Sequence, residues 1–143
     1  MSPSPSPGWE NYSRTASVGL PVNDNDLPTP YSTSDYTDVS TSNNVRVAQS
    51  ASLGDIAMHQ YKDFASVATT CTIDWEGQTD EDPALNAVYL QIYNHNTTTW
   101  DTLASNSVAS PNVDFTISVS VSDLTNYKDG SNVISCRIWQ QSL

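Results

Sequence analysis

The sequence predicts an all-β protein, an antiparallel sandwich of two sheets, on three runs of alternation. Val88, Leu90 and Ile92 alternate with Tyr89, Gln91 and Tyr93. Phe115, Ile117, Val119 and Val121 alternate with Thr116, Ser118 and Ser120, and Ile134, Cys136 and Ile138 with Ser135 and Arg137. Period two marks a strand with two unlike faces. One-sided strands need a second apolar layer, which a facing sheet supplies. Seven or more strands in 143 residues fit a jelly roll or an immunoglobulin-like sandwich. The immunoglobulin alternative wants a Trp far downstream of the first Cys and a Tyr two residues before the second. Trp75 follows Cys71 by only four residues and Ile134 takes the Tyr position, so the reading is jelly-roll-like.

Taken in order, residues 1–13 (MSPSPSPGWENYS) read as a Ser/Pro-rich linker of extended, polyproline character. Residues 14–143 read as a single sandwich domain, with 14–42 a candidate extended N-terminal arm. TASVGLPV and DYTDV are weak strand candidates within that arm. NNVRVAQS (43–50) and IAMHQYKDF (56–64) are expected strands, separated by a turn at Gly54 and Asp55. VATTCTIDW (67–75) is a stronger one. EGQTDEDPALN (76–86) is an acidic exposed loop. Residues 87–94 and 99–104 form a hairpin around NHNTT, and 113–121 and 132–140 complete the set. Ser122–Tyr127 reads as one helical turn capped by Ser122 or Asp123. The expected core comprises Val45, Val47 and Trp100 together with the inward residues of the later strands.

Five Lys and Arg against sixteen Asp and Glu give a net charge of −11. That balance argues against binding nucleic acid, which needs clustered cations, and against attraction to an anionic membrane surface. No apolar run approaches the roughly 18–20 residues of a membrane span. The N-terminus has neither the basic start nor the apolar core of a signal peptide; a fragment of a longer surface protein would begin like this, and an intact chain exported differently or a virion component would look the same. The abundance of Ser, Thr and Asn on outward strand positions suits an extracellular or cell-surface location.

Cys71 and Cys136 both fall on the inward side of their strands, so a disulfide between them is one expectation and two buried thiols the other. A bond would close a loop of about 65 residues and contribute roughly 4 kcal/mol in the chain-entropy account.

The last third of the chain carries IYNHNTTTWDTL and then NVDFTISVSVSDLTNYKDGSNVISCRIW. In Ile92, Tyr93, Asn94, Trp100, Asp101 and Leu103, then Asn126, Tyr127, Asp129, Asn132, Val133 and Arg137, it resembles a β-sandwich module of large secreted and cell-surface prokaryotic proteins. The pattern is IYN…W(D/E)xL…NYxD…NVxxR. The resemblance implies a jelly-roll, galactose-binding-like fold and an extracellular, non-catalytic role. It covers the C-terminal part only, and Cys136 and Trp139 lie outside the pattern.

Three kinds of chemistry remain. Oxygen-rich loops around Asp24 and Asp26, around Asp80 and Asp82, and at Asp129–Asn132 suggest Ca2+, although none has the spacing of an EF-hand. Tyr89, Tyr93, Trp100 and Trp139 could stack on sugar rings, against the ordinary alternative of cross-strand packing. Catalysis has no support: there is no nucleophile elbow, phosphate loop or His–Glu metal motif. Lys62 beside Asp63 is the one candidate for an isopeptide crosslink, and Asn11 and Asn96 match glycosylation acceptors. The expected function is therefore a non-catalytic structural or adhesive surface module, self-assembling into a homo-oligomer or filament through its arm. The alternative is a carbohydrate-binding module with surface glycans as partners.

Overall fold

The computed structural model of the protein describes residues 10–41 and 44–143. Eight strands and one helix occur among them: β1 (Glu10–Ser17), β2 (Thr29–Pro30), α1 (Thr33–Val39), β3 (Ile56–Phe64), β4 (Cys71–Gly77), β5 (Val88–Asn94), β6 (Thr99–Asn106), β7 (Phe115–Val121) and β8 (Val133–Gln141). All pairings are antiparallel. The larger sheet runs β2-β1-β3-β8-β5-β6, and β4 and β7 form a second sheet of two strands. The chain is an all-β, two-sheet antiparallel sandwich.

Its topology is a rolled hairpin. β5 pairs with β6, β4 with β7 and β3 with β8, so the ribbon β3-β4-β5 folds back on β6-β7-β8. The links β3–β4, β4–β5, β6–β7 and β7–β8 each cross between sheets, which is jelly-roll wrapping. The hairpin turn is held by Asn94, whose Oδ1 accepts from Asn96 N and Thr97 N at 2.9 and 3.1 Å. Gly54 opens β3 from a left-handed φ of 86°, a conformation that favours glycine.

Alternation fills the space between the sheets as the sequence requires. Ile73, Ile117 and Val121 from the small sheet meet Val88, Leu90, Ile92, Ile134, Cys136 and Ile138 from the large one, with Leu124 closing one end. Each fully buried aliphatic contributes on the order of 1.5–3 kcal/mol. Leu124 sits in a turn rather than a strand: Tyr127 N and Lys128 N both donate to its carbonyl, and Asp123 Oδ1 accepts from Thr125 N.

The N-terminal region departs from expectation. Residues 1–9 of the expected linker lie outside the described residues, but Glu10, Asn11, Tyr12 and Ser13 already belong to β1. All eight residues of β1 pair with β3, and the fully buried Tyr12 anchors it. The segment expected as an arm for a neighbour thus extends its own sheet. After β1, residues 18–28 cross the outer face of that sheet. Gln60 Nε2 donates to the carbonyls of Asp24 and Asn25 (3.0 Å each), Arg137 Nη1 to Pro21 O (2.8 Å), and Trp100 Nε1 to Asn23 O (3.1 Å). Leu20 and Leu27 pack there on Ile56, Met58 and Trp139. This strap explains why Gln60 and Arg137 are buried, since each of their buried polar groups needs a partner.

Three further expectations are corrected. DYTDV is part of helix α1, because Ser32 and Asp35 form a capping box before it. The run 44–50 belongs to no strand among the described residues, and Val45 is 52% exposed instead of core. Trp100 lies half-exposed on the outer face, since β6 is an edge strand whose inward positions are Leu103 and Ala104.

Candidate functional site

The small sheet covers only part of the large one, and a cleft of about 630 Å³ opens beside it. Its floor is the inner face of β3 and β8, where Ala57, His59, Tyr61 and Ile138 point between the sheets. Its walls are two continuous runs of chain. Residues 74–81 line it from β4 and the loop beyond, and residues 44–51 line it from the other segment.

The 44–51 segment is tied at two points. Arg46 Nη2 donates to Asp114 Oδ1 at 2.6 Å, and the Gln78 amide, oriented to satisfy both neighbours, accepts from Arg46 Nε at 2.9 Å. Farther on, Gln49 Oε1 accepts from Arg14 Nη1 of β1 at 2.8 Å. The segment therefore bridges the two sheets on their open side. Between residues 46 and 51 no backbone group hydrogen-bonds another backbone group among the described residues.

Aromatic rings stabilise one end of the floor. Tyr12, Tyr31, Tyr36 and Tyr61 meet mostly edge to face, at centroid separations of 5.0 to 6.1 Å. Tyr31 OH lies 2.6 Å from His59 Nδ1, and desolvation pushes His59 down to about 4, so its ring is neutral at pH 7. Six carboxylates line the cleft (Asp38, Asp74, Glu76, Asp80, Glu81 and Asp114) against one guanidinium, that of Arg46.

The residues expected to bind sugar fall mostly elsewhere. Tyr89 and Trp139 stand opposite each other in the ladder and stack at 4.5 Å on the outer face. Tyr93 is buried against Trp100 and His95. Trp100 lies under the Arg137 guanidinium, 4.2 Å from its ring centroid, beside a notch of about 200 Å³ that also takes in Gln91, Thr98 and Thr99. Of the four, only Trp139 touches the cleft. Tyr31, His59 and Tyr61 were not singled out by the sequence, because their convergence depends on β1 and β2 joining the sheet.

The carboxylates expected to hold Ca2+ are not gathered into one donor set. Asp24 Oδ2 accepts from Ser135 Oγ, while Asp26 pairs with Lys62 Nζ (2.8 Å) and Asn11 Nδ2 (2.7 Å). These contacts fasten the strap, and those to Asp26 keep its carboxyl below the usual range. Asp80 and Asp82 accept from backbone N–H groups of their own turn. Among the described residues no three His, Cys, Asp or Glu side chains come together at metal-binding distance. Lys62 meets an ionised carboxylate, which is an ion pair and not an isopeptide crosslink. Cys71 and Cys136 are free thiols on facing sheets, and desolvation raises both; the expected disulfide is not formed.

The residues behind the family resemblance converge on turns. Asp101 Oδ2 accepts from both Asn94 Nδ2 (3.1 Å) and Tyr127 OH (2.9 Å), His95 N donates to Asn126 O, and Asp129 Oδ1 accepts from Ser131 N and Val133 N. They lock the β5–β6 hairpin to the loop before β8. No helix among the described residues is long and apolar enough to cross a membrane. The fold and cleft define a two-sheet sandwich with one open flank. Compared with protein families, curated proteins and solved structures, the chain finds no match.

Proposed function

We propose that the chain is a non-catalytic adhesive module of the extracellular or cell-surface kind, and that it holds an elongated ligand in the cleft beside β4. One observation carries this reading: two continuous runs of chain, 44–51 and 74–81, line a single cleft. Its volume lies in the range of about 300–1,000 Å³ usual for ligand sites. The groups best suited to acid–base chemistry have partners there, His59 on Tyr31 and Asp114 on Arg46. Self-assembly through the N-terminal arm loses its support, because β1 is paired along its length within its own sheet. Six carboxylates favour cationic or neutral ligands over anionic ones.

The test is melting temperature in the presence of four probes: a Lys-rich extended peptide, a chitosan oligosaccharide, a cello-oligosaccharide and a heparin oligosaccharide. A bound ligand raises it by mass action. The reading expects a rise with at least one of the first three, abolished by Ala48→Trp at the exposed cleft wall. A rise with heparin alone, with none of the four, or one indifferent to that substitution overturns it.

A second reading, carbohydrate binding at the Trp100 notch, is favoured by the half-exposed indole beside Gln91, Thr98 and Thr99. It expects glycan-array signals lost on Trp100→Ala and untouched by Ala48→Trp.

A further inference from the structure

We infer that Asn96 is an N-glycan acceptor site and that Asn11, the other Asn-x-Ser/Thr match, is not. The donor is a sugar carried on a lipid diphosphate. This rests on the extracellular reading, because only an exported chain meets such a donor.

The turn between β5 and β6 carries the inference. Its base is tied by His95 N, which donates to Asn126 O at 2.8 Å. Its course is set by Asn94, whose Oδ1 accepts from Asn96 N and Thr97 N. The Asn96 side chain takes no part in either. Asn96 is exposed, and its amide makes no hydrogen bond among the described residues. An Asn that the turn does not use leaves its Nδ2 available for modification.

Thr98 points the same way. It stands at a left-handed φ of 57°, where glycine or asparagine is at ease and a β-branched residue is strained. Its hydroxyl donates to the carbonyl of Thr97 at 2.6 Å, so no contact with the rest of the fold offsets the strain. Strain kept without a structural partner is a sign of function. An acceptor Asn needs a Ser or Thr two residues on, with any residue but Pro between. Thr97 and Thr98 meet both conditions.

Asn11 has the same motif in opposite surroundings. Its Nδ2 donates to Asp26 Oδ2 at 2.7 Å, on the carboxylate that also pairs with Lys62 Nζ. The hydroxyl of its motif, Ser13 Oγ, is buried and accepts from Leu27 N at 2.9 Å. A sugar on Asn11 would displace the 18–28 strap, whereas one on Asn96 would meet solvent. Residues 94–98 also lie outside the lining of the cleft, so a bulky, solubilising group at the hairpin tip leaves that site open. In the transfer, Asn96 Nδ2 forms a C–N bond to the anomeric carbon of the first sugar while the C–O bond to the diphosphate breaks. The lipid diphosphate leaves with that electron pair, and one amide proton passes to a base of the transferase.

The experiment sends the full chain through the secretory pathway of cultured eukaryotic cells behind a leader. An Asn-Ala-Thr acceptor on an appended tail reports passage. Peptide-N-glycosidase, which turns each occupied Asn into Asp, and a peptide map then locate the glycans. The inference expects a glycan on Asn96 in most molecules, lost in Asn96→Gln and Thr98→Ala and kept in Thr98→Ser and Asn11→Gln. A glycosylated tail beside a bare Asn96 overturns it, as does occupancy of Asn11 equal to that of Asn96. If neither Asn96 nor the tail carries a glycan, the chain does not enter export, and the extracellular reading falls with the inference. Binding in the cleft plays no part in this readout, so its failure is told apart from all of these results.

Discussion

Glu10 and Asp63 stand directly opposite each other on β1 and β3, and three of their four carboxylate oxygens are buried with no hydrogen bond found among the described residues. The fourth, Asp63 Oδ1, accepts from Tyr12 OH at 2.8 Å. Desolvation, joined for Glu10 by the neighbouring Asp63, raises both carboxyls, and Asp63 reaches about 6.

Asp63 should therefore destabilise the fold as pH rises. The folded chain keeps a proton that the unfolded chain gives up near 3.8, so stability declines between about 4 and about 6. His59 works the other way. Its folded value of about 4 lies below the ordinary 6.5 of a histidine, so its contribution is lost as pH falls through that window. The two oppose each other in the wild-type protein. Melting temperature followed from pH 4 to 7 should rise in Asp63→Asn, where His59 acts alone, and fall in His59→Gln. Each slope should correspond to on the order of 2 kcal/mol; parallel curves for the two variants would refute the assignment.

Arg137 should be the most sensitive single position. Its Nε donates to Gln91 Oε1 at 2.7 Å, Nη1 holds Pro21 O, and the guanidinium covers Trp100. Arg137→Met removes the donors and leaves both acceptors short of partners, a loss of about 3 kcal/mol. Limited proteolysis should then cut between residues 18 and 28 while β3–β8 stay intact.

Gly77→Ala tests the wall of the cleft. A Cβ there would lie 2.5 Å from Trp75 Cζ2, and the indole is braced by Phe115 at 5.3 Å. The ring must move, at about 1–3 kcal/mol, and tryptophan emission should shift with the melting temperature. An unchanged spectrum would mean that the indole has room.

Thiol labelling tests the cysteines. In native protein Cys136 should resist iodoacetamide and Cys71 should react slowly, because only deprotonated thiols attack and desolvation raises both. Denaturant without reductant should expose both. Labelling of neither would mean that they are bonded.

The sheets were legible because alternation is a local signal: Val88–Ile92, Phe115–Val121 and Ile134–Ile138 each state which side is dry. The hairpin at Asn94–Thr99 and the turn at Gly54 were legible from their turn residues. The N-terminal third was not. Tyr12 is buried because β3 lies beside it, and the alternation of Val45 and Val47 reads as a strand although no ladder among the described residues receives it. DYTDV misled because the capping signal, Ser32 with Asp35, precedes a helix of only two turns. The cleft was invisible for a related reason: it arises where a sheet is missing a strand, and no residue pattern records a missing neighbour. Tyr89, Tyr93, Trp100 and Trp139 read as candidates for stacking on sugar because no local pattern records that the 18–28 strap crosses that face.

The rolled-hairpin pairing also orders assembly in time. The β5–β6 pair closes across a short turn, β4–β7 must then bring Gly77 to Phe115, and β3–β8 must bring Phe64 to Val133. Loop-closure entropy grows at each step unless the inner pair has already formed, and folding slows as contacts become less local. The chain should therefore zip outward from Asn94–Thr99, with the β1–β3 pairing among the last to form and, on unfolding, among the first to open.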